Sequence, residues 1–391
     1  MKYMKGFWVD AKWAPRPEIS FSDYELKNKI AKRGCDAWKN ISYSFRDNIP
    51  IPECKDTQVL IKVRTAGICG SDISIFEPDE EGYMSYASQC AFPTILGHEF
   101  TGEIVEIGSS VTNFHIGEYV TAENHMWCGE CTYCRCGELN HCENMHVLGC
   151  DPSYYGTFAE YVVIDQKYCN SIDCLQEVYP DDSLFTAGIM IEPLACVYEG
   201  LFNTANKFRP GDYVVIFGAG GLGLAAIALM KTCGAAKIIV FEPEIHRRRL
   251  AKQMGADYIL DPFDNIYMDN NILMELTRGQ GVGLAIEASS SPARNFAIAE
   301  RAIHVGGEFL CVSIAAQYPR MDYMKLVRRK ITFSGAYGHA GHNNFRQIIN
   351  LIHSKRIDMS PCITARFPLD HIPDALTAAA SGIEGKVVVI P

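Results

Sequence analysis

Apolar positions in the first 185 residues fall into short runs with strand-like alternation. QVLIKVRTAG (58–67), FTGEIVEIG (100–108) and AEYVVID (159–165) are separated by Gly and Pro punctuation, which predicts an irregular β-rich domain. Residues 14–57 are less regular, with a charged helical stretch, SDYELKNKIAKRG, set between what read as short strands. After RPGD (209–212) the texture changes: YVVIF, IIVFE, LAIEAS and GEFLCVS are nearly continuous apolar strands alternating with helical patterns. Strands apolar on both faces need helices on both sides, so the pattern predicts a doubly wound parallel sheet. The tail, FPLDHIPDALTAAASGIEGKVVVIP, ends in another strand and is expected to return to the first domain. The expected division is 1–185, 186–335 and 336–391, within an α/β chain that holds no internal repeat or low-complexity segment.

At 391 residues the chain exceeds one ordinary core, in keeping with two domains. Hydrophobic residues make up 48% and charged residues 21%, a globular composition. A net charge of −10 argues against a nucleic-acid or anionic-membrane partner, which would need clustered Lys and Arg. The one basic cluster, HRRRL (246–250), lies in a helical pattern and reads as a solvated face. The longest apolar runs are strands of five or six residues, too short to span a bilayer, and the start, MKYMKGFWVD, lacks the apolar core of a signal peptide. A cytoplasmic location is the default expectation. There, sixteen cysteines are thiols or metal ligands rather than disulfides. Cys35, Cys54, Cys90, Cys150, Cys169, Cys174, Cys233, Cys311 and Cys362 are scattered and read as small buried hydrophobes.

YVVIFGAGGLG places Gly218, Gly220 and Gly223 in a G-x-G-x-x-G directly after a strand and at the opening of a helix. The first glycine permits the tight turn, the second lets a pyrophosphate approach the backbone, and the third allows close helix–strand packing. The helix start aims amides and a positive dipole at the pyrophosphate. Glu242 follows Gly223 by 19 residues, at the end of the second strand. A carboxylate there accepts hydrogen bonds from both ribose hydroxyls and repels a 2′-phosphate, favouring NAD over NADP; the plainer reading is a helix N-terminal charge before Pro243. Arg247 lies over the adenosine half, or pairs with phosphate if NADP is used.

Cys128, Cys131, Cys134 and Cys142 form C-x2-C-x2-C-x7-C. Four thiolates on a short polar loop can close a tetrahedral shell around one Zn2+, which makes a structural site. An iron–sulfur cluster is the rival, weakened by the lack of a C-x3-C-P continuation. Cys136 breaks the spacing and reads as a spare thiol. A second constellation, Cys69 in GICGSD, His98 and Glu99 in LGHEF, and Glu192 in IEPLACVYEG, mixes thiolate, imidazole and carboxylates. Such a shell can leave a position for water or a substrate oxygen. Asp72 is placed to orient His98.

Together GICGSD, LGHEFTGEIVEIG, the four-cysteine loop, GTFAEYVV, IEPLACVYEG, VVIFGAGGLG and EASSSP resemble the zinc-dependent medium-chain alcohol dehydrogenase superfamily over nearly the whole chain. The resemblance implies a GroES-like catalytic domain at 1–185 with the structural zinc loop, a Rossmann NAD-binding domain at 186–335, and a return at 336–391. It implies two Zn2+ per chain. Cys69, His98 and Glu99 would hold the catalytic ion, as in polyol dehydrogenases, with Glu192 a ligand in some states, and the four-cysteine loop would hold the structural one. Ser71 matches the hydroxyl that contacts the substrate oxygen and starts the proton relay. Relatives often carry His three residues later, where this chain has Ser74, so the relay would end in water or the nicotinamide ribose. Gly221, Leu222, Ala288 and Ser313 join Gly218, Gly220, Gly223, Glu242 and Arg247 in the implied cofactor site. The family forms dimers and tetramers, so a homodimer or homotetramer is expected. An extended N-terminal region and an enlarged loop, FEPDEEGYMSYASQCAFPT, resemble the scyllo-inosose 3-dehydrogenase type, which oxidises a ring hydroxyl on a cyclitol. Glu81, Tyr83 and Tyr86 on that loop are candidates for substrate hydroxyls, with a solvated loop the equal alternative. Threonine-type, sugar and simple alcohol dehydrogenases, and a non-catalytic dinucleotide sensor, are the competing expectations.

Overall fold

The computed structural model describes residues 2–264, 271–314 and 319–391. The chain forms two compact units. The first comprises Met1–Ile189, Ala365–Ser381 and Val387–Pro391; the second comprises Met190–Thr364 and Gly382–Lys386.

In the first unit the strand Gln58–Gly67 is the spine of a seven-stranded sheet. It is buried along most of its length and pairs antiparallel with Glu99–Ile107, Tyr161–Asp165 and Lys386–Ile390. The register sets Gly67 opposite Glu99 and Val388 opposite Gly67, so three distant parts of the chain meet where the spine ends. Phe100, Phe158 and Ile61 fill the core beneath it. The N-terminal region is more regular than its pattern predicts. Tyr3–Trp13 and Trp38–Pro50 are strands of 11 and 13 residues that pair with each other, rather than short ones. Their length is hidden in the sequence because much of the second strand is exposed and carries polar residues on both faces. Between them the expected helix forms at Asp23–Asn28. Ser22 caps it, its Oγ accepting from Glu25 N (3.3 Å) while the Glu25 carboxylate accepts from Ser22 N (2.9 Å).

The second unit is built on a six-stranded parallel sheet, in the spatial order Tyr258–Leu260, Lys237–Phe241, Tyr213–Phe217, Val282–Glu287, Ile303–Cys311, Thr332–Gly335. The central strands Tyr213–Phe217 and Val282–Glu287 are buried at every position but Tyr213, as continuous apolar runs require. Residues 336–364, grouped with the return segment in the sequence pattern, lie in this unit. The helix Asn344–His353 buries Phe345, Ile348, Ile349 and Ile352 and packs against the helix Ile191–Tyr198; the return begins at Ala365. The helical run Ser183–Thr204 is long and apolar enough to cross a membrane by length and composition, well beyond the strand-length runs singled out in the sequence. Its apolar window is 89% buried, which is how a core helix satisfies the same test.

Phe309, fully buried, packs edge-on to Phe296 (5.0 Å between centroids) and stacks with Phe333 (5.3 Å). Phe309→Ala is expected to destabilise the protein by about 3–5 kcal/mol through lost transfer energy and the cavity left behind, read as a lower denaturant midpoint.

Candidate active site

The spine strand delivers Cys69 just past its end, and the partner strand delivers Glu99 opposite Gly67. Gly97 makes the turn before His98 with φ +92°, and a Cβ there would lie 2.6 Å from the Phe158 ring, so only glycine fits. Cys69 caps the short helix Gly70–Ile75, and its N–H donates to the Asp72 carboxylate at 2.9 Å. The outcome is that Sγ of Cys69, a ring nitrogen of His98 and a carboxylate oxygen of Glu99 lie within 4.8 Å of one another, with His98 and Glu99 buried. Thiolate, imidazole and carboxylate at that spacing suit Zn2+, and three protein ligands leave one position open. Ser71 Oγ is 3.5 Å from His98 Nε2. Asp72 Oδ1 is 3.8 Å from His98 Nδ1, close enough to act by charge on the ring, though beyond hydrogen-bond length. Ser74 Oγ donates to the Ser71 carbonyl at 2.8 Å, so its hydroxyl is spent within the helix.

Two of the loop residues offered for substrate contact serve the loop itself. Glu81 pairs with Arg16 at 2.8 Å, and Asp79 binds the same guanidinium. The Tyr83 ring lies under Arg16 (3.9 Å) and Lys39 (5.0 Å). Tyr86 is buried, its hydroxyl accepting from Cys150 Sγ at 3.6 Å. Burial pushes the Cys150 thiol up to about 11, with weaker influences from His98, Asp72 and Cys69, so it stays protonated beside them. All sixteen cysteines are free thiols. Burial likewise holds Cys311 near 11 and Cys362 near 12, the inert behaviour expected of scattered core cysteines.

The four sulfurs of Cys128, Cys131, Cys134 and Cys142 also lie within 4.8 Å of one another, and Cys136 is exposed outside the group. A two-stranded ribbon, His125–Met126 with His146–Val147, brackets the loop. Amides aim at the sulfurs: Glu130 N and Cys131 N donate to Cys128 Sγ (3.4 Å each), and Cys128 N donates to Cys142 Sγ (3.3 Å). The amide donors lower Cys128 to about 6, while burial lifts Cys142 to about 12. Four such neighbours ionise together only around a cation, which makes the loop fit Zn2+.

In the second unit the glycine turn has the predicted form. Gly218 adopts φ +94°, and a Cβ on Gly223 would lie 2.0 Å from Gly218 O, which is the close helix–strand packing that demands glycine. Gly220 caps the helix Gly221–Thr232, which Gly221, Leu222 and Gly223 open. Beside this turn is a cavity of about 320 Å3 lined by Gly218, Gly220, Glu242, Arg247 and Ala288, and also by Phe263 and Arg294, which the sequence pattern passes over. Glu242 is buried and held from both sides: Oε2 accepts from Ala219 N (2.6 Å) and Oε1 from Glu244 N (2.8 Å). Arg247, within HRRRL, is not on a solvated face; its Nε donates to Glu384 O at 2.9 Å and its side chain lies beside Gly220. Ser313 supports the site indirectly, donating to Ser289 O at 2.7 Å.

Residues 55–173 match the alcohol dehydrogenase GroES-like domain, and residues 221–354 match the zinc-binding dehydrogenase domain. The chain is 38% identical, over 95% of both sequences, to the scyllo-inosose 3-dehydrogenase of Thermotoga maritima. The chain belongs to the zinc-binding alcohol dehydrogenase family. It is 34% identical to the L-threonine 3-dehydrogenase of Bacillus subtilis, over 88% of this chain and 94% of that one. A solved Thermotoga maritima structure described as a candidate alcohol dehydrogenase superposes with TM-score 0.92 at 36% identity, covering 99% of this chain and all of the other. The fold expectation, a GroES-like unit plus a Rossmann unit, is borne out, and the dehydrogenase is a zinc- and nicotinamide-dinucleotide-using enzyme acting on a small molecule.

One dehydrogenase residue named from sequence has a setting the pattern does not reveal. Glu192, in the second unit, accepts from Cys196 Sγ at 3.5 Å and lies 3.4 Å from His339 Nε2. The i,i+4 spacing of Glu192 and Cys196 on one helix was the available signal for the first contact; nothing local announces His339. For the cysteine loop, Cys142→Ser is expected to remove one zinc per chain and lower the melting temperature, while Cys136→Ser leaves metal content unchanged, both read by elemental analysis and thermal unfolding.

Proposed function

We propose that this dehydrogenase is NAD-linked and oxidises a secondary hydroxyl of a cyclitol or polyol of the scyllo-inosose and inositol type, with reversal reducing the ketone. The observation that carries the chemistry is the buried set of Cys69, His98 and Glu99, with Ser71 beside His98. The substrate class is supported by 38% identity to a scyllo-inosose 3-dehydrogenase over nearly the full length of both chains. When bound, Zn2+ at this set supplies the Lewis acidity that eases loss of an alcohol proton, and the nicotinamide supplies the hydride acceptor. Ser71 Oγ accepts the hydroxyl proton and releases its own to water or the nicotinamide ribose, since the Ser74 hydroxyl is engaged on Ser71 O. Asp72 biases the orientation of His98 by charge. A second Zn2+ in the four-cysteine loop is structural, and Glu192 is the further carboxylate that the family resemblance assigns to the catalytic ion. Glu242 selects NAD by accepting from both ribose hydroxyls. The working form is a cytoplasmic homodimer or homotetramer, as the family implies.

The test is NADH formation with a panel of inositols, sugars, threonine and simple alcohols in the presence of zinc. Turnover highest on a cyclitol or polyol is the expected result; preference for threonine or an unbranched alcohol refutes the substrate assignment. Cys69→Ser is expected to reduce turnover at least about 1000-fold, the loss of several kcal/mol of charge stabilisation, while NADH still binds by fluorescence. Glu242→Ala is expected to raise KM for NAD about 10- to 100-fold, as loss of hydrogen bonds to a charged group does, and to narrow the gap to NADP.

A further inference from the structure

We propose that Arg16 is a positioning residue that sets substrate specificity: it clamps the loop 77–93 as a fixed wall beside the Cys69, His98 and Glu99 set, favouring a ring polyol over a small alcohol. This role rests on the polyol dehydrogenase reading above. Topology places the loop at the site. It begins where the helix Gly70–Ile75, capped by Cys69, ends, and it runs to the strand Thr94–Ile95, just before Gly97 and His98. Midway it folds back. Ser85 N donates at 2.9 Å to Ser74 O, on the helix that carries Ser71, and Ser85 Oγ donates to Glu77 O at 2.7 Å. The next residue, Tyr86, is buried with its hydroxyl 3.6 Å from Cys150 Sγ. The residues preceding Cys150 and His98 abut, since a Cβ on Gly149 would lie 2.7 Å from Gly97 O. His98, Asp72 and Cys69 all influence the Cys150 thiol. Ser85 and Tyr86 therefore border the site from the loop side.

The loop resists holding that position by itself. Residues 77–81, EPDEE, are all exposed, and the carboxylates of Glu77, Asp79, Glu80 and Glu81 repel one another. Arg16 answers them. Its Nη1 donates to Glu81 at 2.8 Å, Nη2 donates to Asp79, Nε donates to Cys35 O at 3.0 Å, and its plane covers the Tyr83 ring at 3.9 Å. Asp79 passes the hold on: Oδ2 takes the guanidinium, while Oδ1 accepts from Glu81 N and Tyr83 N at 2.9 Å each. Arg16 N donates to Asp36 O at 2.8 Å, and Cys35 N donates to Tyr86 O at 2.9 Å. The segment that supports Arg16 thus also holds the loop residue beside Cys150. Exposed ion pairs alone contribute little. Here one planar guanidinium serves two carboxylates, a carbonyl and a ring face together, a set that lysine cannot reproduce. A substrate that reaches Ser85 and Tyr86 gains orientation from a fixed wall, whereas a small alcohol held at its reacting hydroxyl falls short of it.

The experiment is steady-state kinetics of the parent, Arg16→Met and Arg16→Lys, with zinc and NAD present. Each is assayed on the panel substrate that the parent turns over best and on 2-propanol. Arg16→Met is expected to raise KM for the preferred substrate about 10-fold, within the up to ~100-fold that a misplaced positioning element costs. Its kcat/KM for 2-propanol and its KM for NAD are expected to match the parent. Arg16→Lys, which keeps the charge and loses the fork, is expected to recover only part of the loss. If Arg16→Met does not fold, Glu81→Gln decides instead, because that carboxylate is exposed. Its KM for the preferred substrate is expected to rise about 3-fold, the worth of one exposed ion pair, at an unchanged KM for NAD. The parent's choice of substrate tests the polyol reading and the variant-to-parent ratio tests the clamp, so the two fail separately. An unchanged KM for the preferred substrate in the folded variants, or an equal loss on both substrates, overturns the proposal.

Discussion

A carboxylate removed from water must be met by donors or cations, and every functional region of this dehydrogenase is organised by that demand. Glu242 is met by two backbone amides, Ala219 N in the glycine turn and Glu244 N just beyond its own strand. Glu287, fully buried one strand away, is raised by burial and accepts from Ser289 N, Ser289 Oγ and Asn295 Nδ2, which stiffens the EASSSP segment at the cavity wall. Asp72 is met by the amide of Cys69. Glu99 and Glu192 are different in kind, because each is placed beside a sulfur and an imidazole. That company is what a divalent cation requires. The same logic extends to the cysteine loop, where amide donors ease one sulfur toward ionisation while burial opposes it at another.

Strand register turns this electrostatic demand into a usable geometry. Gly67 faces Glu99 across the sheet, and Cys69 follows two residues later. A slip of one residue would reverse the facing of every side chain on that strand and separate the carboxylate from the thiolate. Register shifts along the same strand pair, between Leu60 and Ile61 and between Val63 and Thr65, are accommodated farther from the site. Gly97, with its positive φ under the Phe158 ring, then fixes how His98 enters.

Local rules made much of this legible. The spine strand Gln58–Gly67, the parallel strands of the second unit and the glycine turn follow from periodicity and from steric demands acting over a few residues. The spacing of Cys128, Cys131, Cys134 and Cys142 anticipated that their sulfurs would meet. What escaped was set by long-range packing. The strand Trp38–Pro50 is largely exposed and so lacks alternation, yet it pairs along most of Tyr3–Trp13. Arg247 lies in a basic run that looks solvated until the fold turns it toward the cavity. Glu81 and Tyr83 looked available until Arg16, more than sixty positions earlier, occupied them. His339 joins Glu192 through tertiary structure alone.

The antiparallel pairing of Val388 and Val389 with Gly67 and Ala66, reinforced by Ile68 N donating to Val387 O at 3.0 Å, has a consequence for biosynthesis. The strand that leads into Cys69 is synthesised early, but the neighbour that completes its hydrogen bonding emerges only after the whole parallel-sheet unit has left the ribosome. Contacts this distant in sequence form slowly, because a long loop must close before they add stability. The parallel-sheet unit can therefore fold around its own sheet first, and the strand end that leads to Cys69 is finished last.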